Sequence, residues 1–383
     1  MRRSTYSLKQ SAEVAHDEEG AIVVGMRDVA KKAGVSLSTV SLVVNGNGYV
    51  SADMRDRVCK AMQLLNYVPN ELARNLYHDR TNLVGVIVPT IRHPFFATFT
   101  AHLQHALAAQ GLRTMLCSTT DETDGEIQYA DMLRRHMMDG IVMCAHTSLP
   151  GDYWTSIHRP IVAFDRVLGE GISSIGSDHE QGGRLIAHML IRNGARHVVM
   201  IGGPRDQFFD LAVRGEVGEG SFDLGKTTFP TVRYYLTLEQ ELTAAGVKYE
   251  YIEAGEVMDF TGYHRAVDKA FDGVATEGVD AVVSSDIGAA FCVREALSRG
   301  ISIPDELQVV AYDGTYLTDL AGMKLTAVAQ DFSAIAQSAA DHMVQAIANE
   351  EAAAANASRK NIPKPFEPNV LVPMTLVPGD TTR

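Results

Sequence analysis

From residue 83 to residue 312 the chain alternates short apolar runs with amphipathic stretches, and no other feature constrains its fold as tightly. Apolar runs of four to six residues fall at 83–88, 113–117, 140–143, 160–164, 197–201, 249–252, 281–284 and 308–312. Helical spacing marks 95–110, 125–135, 181–193, 236–245, 261–272 and 287–299, and Gly111, Gly194 and Gly246 close three of these stretches. Repeated β-α units of this kind build parallel sheets with helices on both faces. Ligands of such sheets bind beyond the carboxyl ends of the strands. The residues at those ends are Thr90, His93, Phe95 and Phe96, then Asp165 and Arg166, then Ser285 and Asp286, and finally Asp313. Carboxylates and aromatics converging from different strands suit a polyhydroxylated ligand, because Asp accepts from paired hydroxyls and Phe covers an apolar sugar face. Each has a local alternative: Asp165 or Asp286 can cap the segment that follows, and Phe95 can fill the core.

Ahead of this region, residues 26–77 read as three short helices and a fourth segment. The first helix spans 26–33, with Val29 and Ala30 facing inward, and Gly34 ends it in the left-handed conformation that suits glycine. Ser36 caps a second helix through its hydroxyl. Helix, tight glycine turn and helix at this spacing is the helix-turn-helix pattern. The run Asn45-Gly46-Asn47-Gly48 breaks the chain, and Ser51 caps a third helix whose Met54, Val58, Ala61, Met62 and Leu65 form one apolar face. In the second helix Val40 and Val43 point back to the core. Leu37, Ser38, Thr39, Ser41 and Leu42 are left for a DNA major groove, with hydroxyls suited to phosphate oxygens and leucines suited to thymine methyls. A three-helix module that binds protein is the alternative. Pro69 stops any helix from Leu65, and Asn70 can cap a short one over 71–77, marginal on its own.

The 383 residues carry a net charge of −13, which argues against general adhesion to nucleic acid. Between Gly25 and Arg80, however, eight basic residues face five acidic ones, a local charge of +3. No apolar run approaches a bilayer span, and residues 1–24, a polar tail expected to be flexible, lack a signal-peptide core, so the expected compartment is the cytoplasm. Cys59, Cys117, Cys144 and Cys292 have no metal-ligand spacing and read as buried free thiols.

The segments DVAKKAGVSLSTVSLVVNG, YVSADMRDRV and LNYVPNELARNL resemble the headpiece of the lactose-repressor (LacI-type) family of bacterial transcription regulators. The likeness continues in order through TNLVGVIVPTIRHPFF, MDGIVM, PIVAFDR, SDHEQGGRLIAHMLIRNGARHVVMIGGP, AVVSSDIGAAFCVREALSRGISIPDELQVVAYDG and LTAVAQDF. The resemblance implies an all-α helix-turn-helix headpiece (25–68), a hinge helix or linker (69–80) and an α/β core (81–383) of two periplasmic-binding-protein-like lobes. Lobe 1 would take 81–178 and 313–328, and lobe 2 would take 179–312 and 329–383, the chain crossing near Asp178, Asp313 and Ala329. It further implies that DNA is met by Ser36, Leu37, Ser38, Thr39, Ser41, Leu42, Asn45 and Tyr49, and by Asn70, Ala73, Leu76 and Tyr77 of the hinge. There Leu76 would wedge between base steps and bend the duplex; a plain linker with Leu76 against the body is the alternative.

Four departures from the family pattern stand out. Tyr77 replaces a frequent basic residue, Leu42 a polar or basic one, and Ser285 a frequent asparagine. After Gly202-Gly203-Pro204 the chain is longer by roughly twenty residues, an insertion at about 205–232, with Arg233 the nearest match to the family's cleft arginine. The expected molecule is a homodimer without tetramerising heptads, ending in a closing strand and a frayed end. It would bind double-stranded operator DNA and a small-molecule effector, most naturally a sugar or related polyol. No nucleophile elbow, P-loop or zinc signature is present, so neither an enzyme nor a cofactor or metal is expected; His102 and His105 read as surface or dimer-interface residues. A solute-binding sensor or transport protein on the same two-lobed core is the second reading.

Overall fold

The computed structural model describes residues 24–46, 48–69, 80–119, 125–147, 149–204, 231–255, 260–355 and 369–383. Most of the tail, the linker residues Asn70, Ala73, Leu76 and Tyr77, and nearly all of the insertion lie outside these. The chain divides into two compact units, 1–79 and 80–383.

The first unit holds α1 (Met26–Ala33), α2 (Leu37–Asn45) and α3 (Ala52–Leu64). Gly34 closes α1 with φ of +63°, and its N–H donates to Ala30 O. The Ser36 hydroxyl accepts from Thr39 N–H at the start of α2, and the Ser51 hydroxyl accepts from Met54 N–H at the start of α3. Arg57 on α3 donates to Gly34 O, which fixes the turn from the far side. Val29, Ala30, Ala33, Val40, Val58 and Ala61 form the buried core. Each fully covered valine there contributes about 1.5–3 kcal/mol. Met54, expected on the apolar face of α3, is exposed: this small core closes over Val58 and Ala61 and stops short of the first turn of α3. Cys59, expected to be buried, is exposed as well, whereas Cys117, Cys144 and Cys292 are buried.

The second unit begins with β1 (Leu83–Val88), α4 (Pro94–Ala109), β2 (Arg113–Ser118), α5 (Gly125–Arg134), β3 (Gly140–Met143), α6 (Gly151–Thr155), β4 (Ile161–Phe164) and β5 (Ser173–Ser177). It continues with α7 (His179–Arg192), β6 (His197–Gly202), α8 (Val232–Ala244), β7 (Lys248–Glu253), α9 (Phe260–Thr276), β8 (Ala281–Ser285), α10 (Asp286–Arg299) and β9 (Gln308–Asp313). A 3-10 turn at Tyr316–Asp319 leads to β10 (Thr326–Ala329), α11 (Phe332–Ala355), β11 (Asn369–Val372) and β12 (Thr375–Val377).

Two six-stranded sheets result, ordered β11-β5-β4-β3-β1-β2 and β12-β10-β9-β8-β6-β7. All neighbours run parallel except β12, which is antiparallel to β10. Central strands such as β3, β6 and β9 are buried along their whole length, as parallel strands covered on both faces must be. The edge strands β2 and β7 keep exposed positions. The order reverses between β1 and β3 in one sheet and between β6 and β8 in the other, which places a ligand crevice beyond Val88 and beyond Gly202 and Ser285.

The division into lobes differs from the sequence reading. β10 pairs with β9, so 313–328 stays with lobe 2. α11 covers the first sheet, packing Phe332, Ile335, Ala336, Ala339, Ala340, Met343 and Ile347 into the core with β1 and α4. β11 then pairs with β5 in that same sheet, and β12 returns to the second. The chain therefore crosses at Asp178, at Gln330 and at about residue 373, and not at Asp313. Backbone pairing, which a local pattern does not encode, decides the matter. The end of the chain is not frayed either. Thr381 is fully buried and its hydroxyl donates to Val309 O, while the Arg383 guanidinium donates to the carbonyls of Asn193, Pro304 and Asp305.

Candidate DNA interface and effector cleft

In the first unit the burial of Val40 turns one face of α2 outward. Leu37, Ser38, Ser41, Leu42 and Asn45 share that face at helical spacing. Leu37 and Leu42 are exposed, and Tyr49, just beyond the helix, is 92% exposed. The hydroxyls are linked: Ser36 Oγ is 2.7 Å from Ser38 Oγ and 2.8 Å from Thr39 Oγ1. Asn45 Nδ2 donates to Ser41 Oγ at 3.2 Å. The helix thus presents two apolar groups ringed by hydroxyl and amide groups.

In the second unit the strand-end residues take different duties. Thr90 is buried, and its hydroxyl accepts from Arg92 N–H, so it shapes the turn after β1. His93 caps α4, its Nδ1 accepting from Phe95 N–H. Burial lowers its pKa to about 4, so the ring is neutral with its proton on Nε2, a fixed donor. Phe96 belongs to the core. Phe95 is only half-buried and stacks on Phe164 at 5.8 Å, with Phe332 at 5.6 Å on another side. Arg92 lies over the Phe260 ring, 5.3 Å from its centroid, and so reaches from one lobe to the other.

Asp165 follows β4 with φ of +47°. Gly176 on β5 makes room for it, since a side chain there would collide with Asp165 Oδ1. Asp165 Oδ1 lies 3.0 Å from His179 Nε2, and His179 Nδ1 lies 2.6 Å from Tyr312 Oη. This polar chain runs from lobe 1 to lobe 2. Arg166 is buried beside it and donates to Ala145 O and Asp165 O.

Asp313 closes β9 with φ of +115°, a conformation that costs a non-glycine residue about 1–3 kcal/mol and tends to persist where a site needs it. Its Oδ1 accepts from Gln330 Nε2 at 2.8 Å, and Gln330 Oε1 accepts from the Ser177 hydroxyl at 2.6 Å. Burial, with the Asp286 charge added, pushes the Asp313 carboxyl well above the ordinary carboxylate range. Asp286 is spent on the backbone: its two oxygens accept from Gly314 N–H and Thr315 N–H, holding the loop after Asp313. Burial raises it to about 6 against the pull of those bonds. Ser285 donates to Tyr263 Oη at 3.0 Å. Arg233 sits in the first turn of α8, which starts a turn earlier than expected, and its Nε is buried without a hydrogen-bond partner. His102 and His105 lie on the exposed side of α4.

The structure therefore brings Asp165 and Asp313 together and adds Ser177, His179, Tyr312 and Gln330, which strand-end reasoning passed over. Ser177 and Gln330 flank two crossings that the sequence did place, and that was the available signal.

Family models match most of this chain: bacterial regulatory proteins of the lacI family over 25–70, periplasmic binding proteins and sugar binding domain of LacI family over 81–220, and a periplasmic binding protein-like domain over 187–382. The sucrose operon repressor of Streptococcus mutans is 30% identical to it, across 86% of this chain and 95% of that one. The chain belongs to the LacI family of bacterial regulatory proteins. This LacI-family chain is a DNA-binding transcription regulator and not an enzyme. The ribose operon repressor of Bacillus subtilis is also similar, 31% identical over 75% of this chain and 81% of that one. Among solved structures, the lac repressor dimer bound to operator and the anti-inducer ONPF shares the fold, with a TM-score of 0.73 and 22% identity over 94% of this chain and 99% of that one. The regulator CelR in complex with cellobiose covers the same shares, with a TM-score of 0.59 and 22% identity.

Proposed function

We propose that this LacI-family regulator is a cytoplasmic repressor that binds a near-palindromic operator as a homodimer and responds to a sugar held between the lobes of its core. The observation that carries the reading is the pair of polar chains, Ser177–Gln330–Asp313 and Asp165–His179–Tyr312, that tie the lobes together beside the crevice. A ligand whose hydroxyls compete for Asp165 and Asp313 changes those ties. His93 supplies a fixed donor, Phe95 an apolar wall and Arg233 an uncommitted cation. The sugar class follows the names of similar proteins, repressors of sucrose and ribose operons and a regulator in complex with cellobiose. Two-fold symmetry of a dimer maps onto two half-sites. DNA contact then falls to the outward face of α2 and Tyr49, and to Asn70, Ala73, Leu76 and Tyr77 of the linker. Ligand that favours an unpaired linker releases DNA, and operator must shift ligand affinity by the same factor. No described helix is long and apolar enough to cross a membrane.

The test is selection of genomic fragments with the purified protein at fixed moderate salt, followed by titration of sugars coded near the recovered sites. Enrichment of one inverted repeat, released or tightened by a sugar, supports the reading. Ligand binding without any enriched repeat favours the solute-binding alternative.

A further inference from the structure

At the end of the second sheet away from the cleft, where strands begin, His197, Glu250 and Glu277 bring one ring nitrogen and two carboxylates within 4.8 Å of one another. We propose that these three residues form a binding site for a divalent transition-metal ion of the zinc class. His197 opens β6, is 3% exposed, and pairs in register with Lys248 of the edge strand β7. Glu250 lies on β7, and Glu277 follows α9.

The tautomer of His197 is the deciding point. Its Nδ1 lies 3.3 Å from the backbone carbonyl of Glu277, which can only accept. In the neutral ring this places the proton on Nδ1 and leaves Nε2 free to act as a ligand. That nitrogen is buried and has no hydrogen-bond partner. It faces Glu250 Oε2 at 3.8 Å, beyond hydrogen-bond reach. A buried ring nitrogen aimed at two carboxylates is placed to share a cation with them. Histidine ligands of metals are fixed in this way, one ring N–H given to a carbonyl and the other nitrogen to the ion. Ligand atoms around a tetrahedral zinc stand roughly 3.3 Å apart, so rotamer adjustment of the two glutamates by up to about 1.5 Å closes the site. Imidazole with two carboxylates suits zinc, cobalt or nickel better than magnesium. Lys248 Nζ, 2.9 Å from Glu277 Oε2, opposes the ion and lowers the Glu277 pKa. A bound ion would staple β6, β7 and the end of α9, far from the sugar crevice and independent of what fills it.

The experiment uses the full chain, stripped with chelator and titrated with zinc, cobalt or magnesium chloride. The expected result is one zinc per chain at micromolar or tighter affinity, a rise in Tm with zinc, visible cobalt bands, and no response to magnesium. Glu250→Gln, at a half-exposed edge position, should weaken zinc at least tenfold, and His197→Gln should remove the cobalt bands. Lys248→Gln should tighten binding. Absence of zinc binding overturns the proposal, and so does zinc affinity unchanged in Glu250→Gln together with cobalt bands retained in His197→Gln.

Discussion

The Ser177 hydroxyl donates to Gln330 Oε1 at 2.6 Å, joining two of the three places where the chain passes between the sheets. Gln330 in turn donates to Asp313, so one amide serves both lobes. Gln330→Ala leaves a buried hydroxyl and a buried carboxyl without partners, at a cost of about 1–3 kcal/mol. Denaturant titration should show that loss. Isothermal titration with the cognate sugar should show affinity down by tenfold or more, with operator affinity unchanged in the absence of ligand.

Asp286 and Asp313 should each make stability fall as pH rises above about 4, against His93, whose lowered pKa makes stability rise from about 4 to about 6.5. For an acid whose pKa rises on folding, the folded chain binds more protons than the unfolded chain between the two values. Asp286 covers the window from about 4 to about 6, and Asp313 extends it upward. Each whole proton contributes a slope of at most about 1.4 kcal/mol per pH unit. Asp313→Asn keeps the acceptor for Gln330 and removes its share of the slope. Denaturation midpoints from pH 4 to pH 7 measure this; parallel curves for the two proteins would dismiss the buried-acid account.

On the outward face of α2, Leu37→Ala and Leu42→Ala should each lower operator affinity by about 1–3 kcal/mol, the usual cost of losing recognition at one base pair. Affinity for random duplex at the same salt should hold, because phosphate contacts are untouched. Fluorescence anisotropy on both duplexes checks the difference. Equal losses on both would point to unfolding of the three-helix unit instead.

Leu76→Ala should reduce both operator affinity and the bend angle in a circular-permutation mobility assay. Wild-type values for both would assign Leu76 to the linker's contact with the body and return DNA bending to the headpiece or to none.

Most strands were legible because buried parallel strands leave short apolar runs of unmistakable length. Helix α11 was not legible in the same way: Phe332, Ile335, Ala339, Met343 and Ile347 repeat at helical spacing and are buried, but so many alanines surround them that the faces differ little in polarity. Asp165 and Asp313 could be chosen from strand ends alone. The roles of His179, Tyr312 and Gln330 could not, because each partner lies on a segment remote in sequence. The same remoteness hid His197, Glu250 and Glu277, whose spacing matches no ligand motif. Asp286 shows the reverse case, a carboxylate at the right strand end that the backbone of Gly314 and Thr315 occupies.

The three crossings are bonded to one another through Ser177 with Gln330, Asp178 N–H with Val372 O, and Gln181 Oε1 with Met374 N–H. Two halves joined at one point could twist, slide or tilt freely. Joined at three, with the crossing at Asp178 bonded to both of the others, they lose most of that freedom. Free energy supplied in the crevice is then spent on the few relative motions that three bonded crossings still allow.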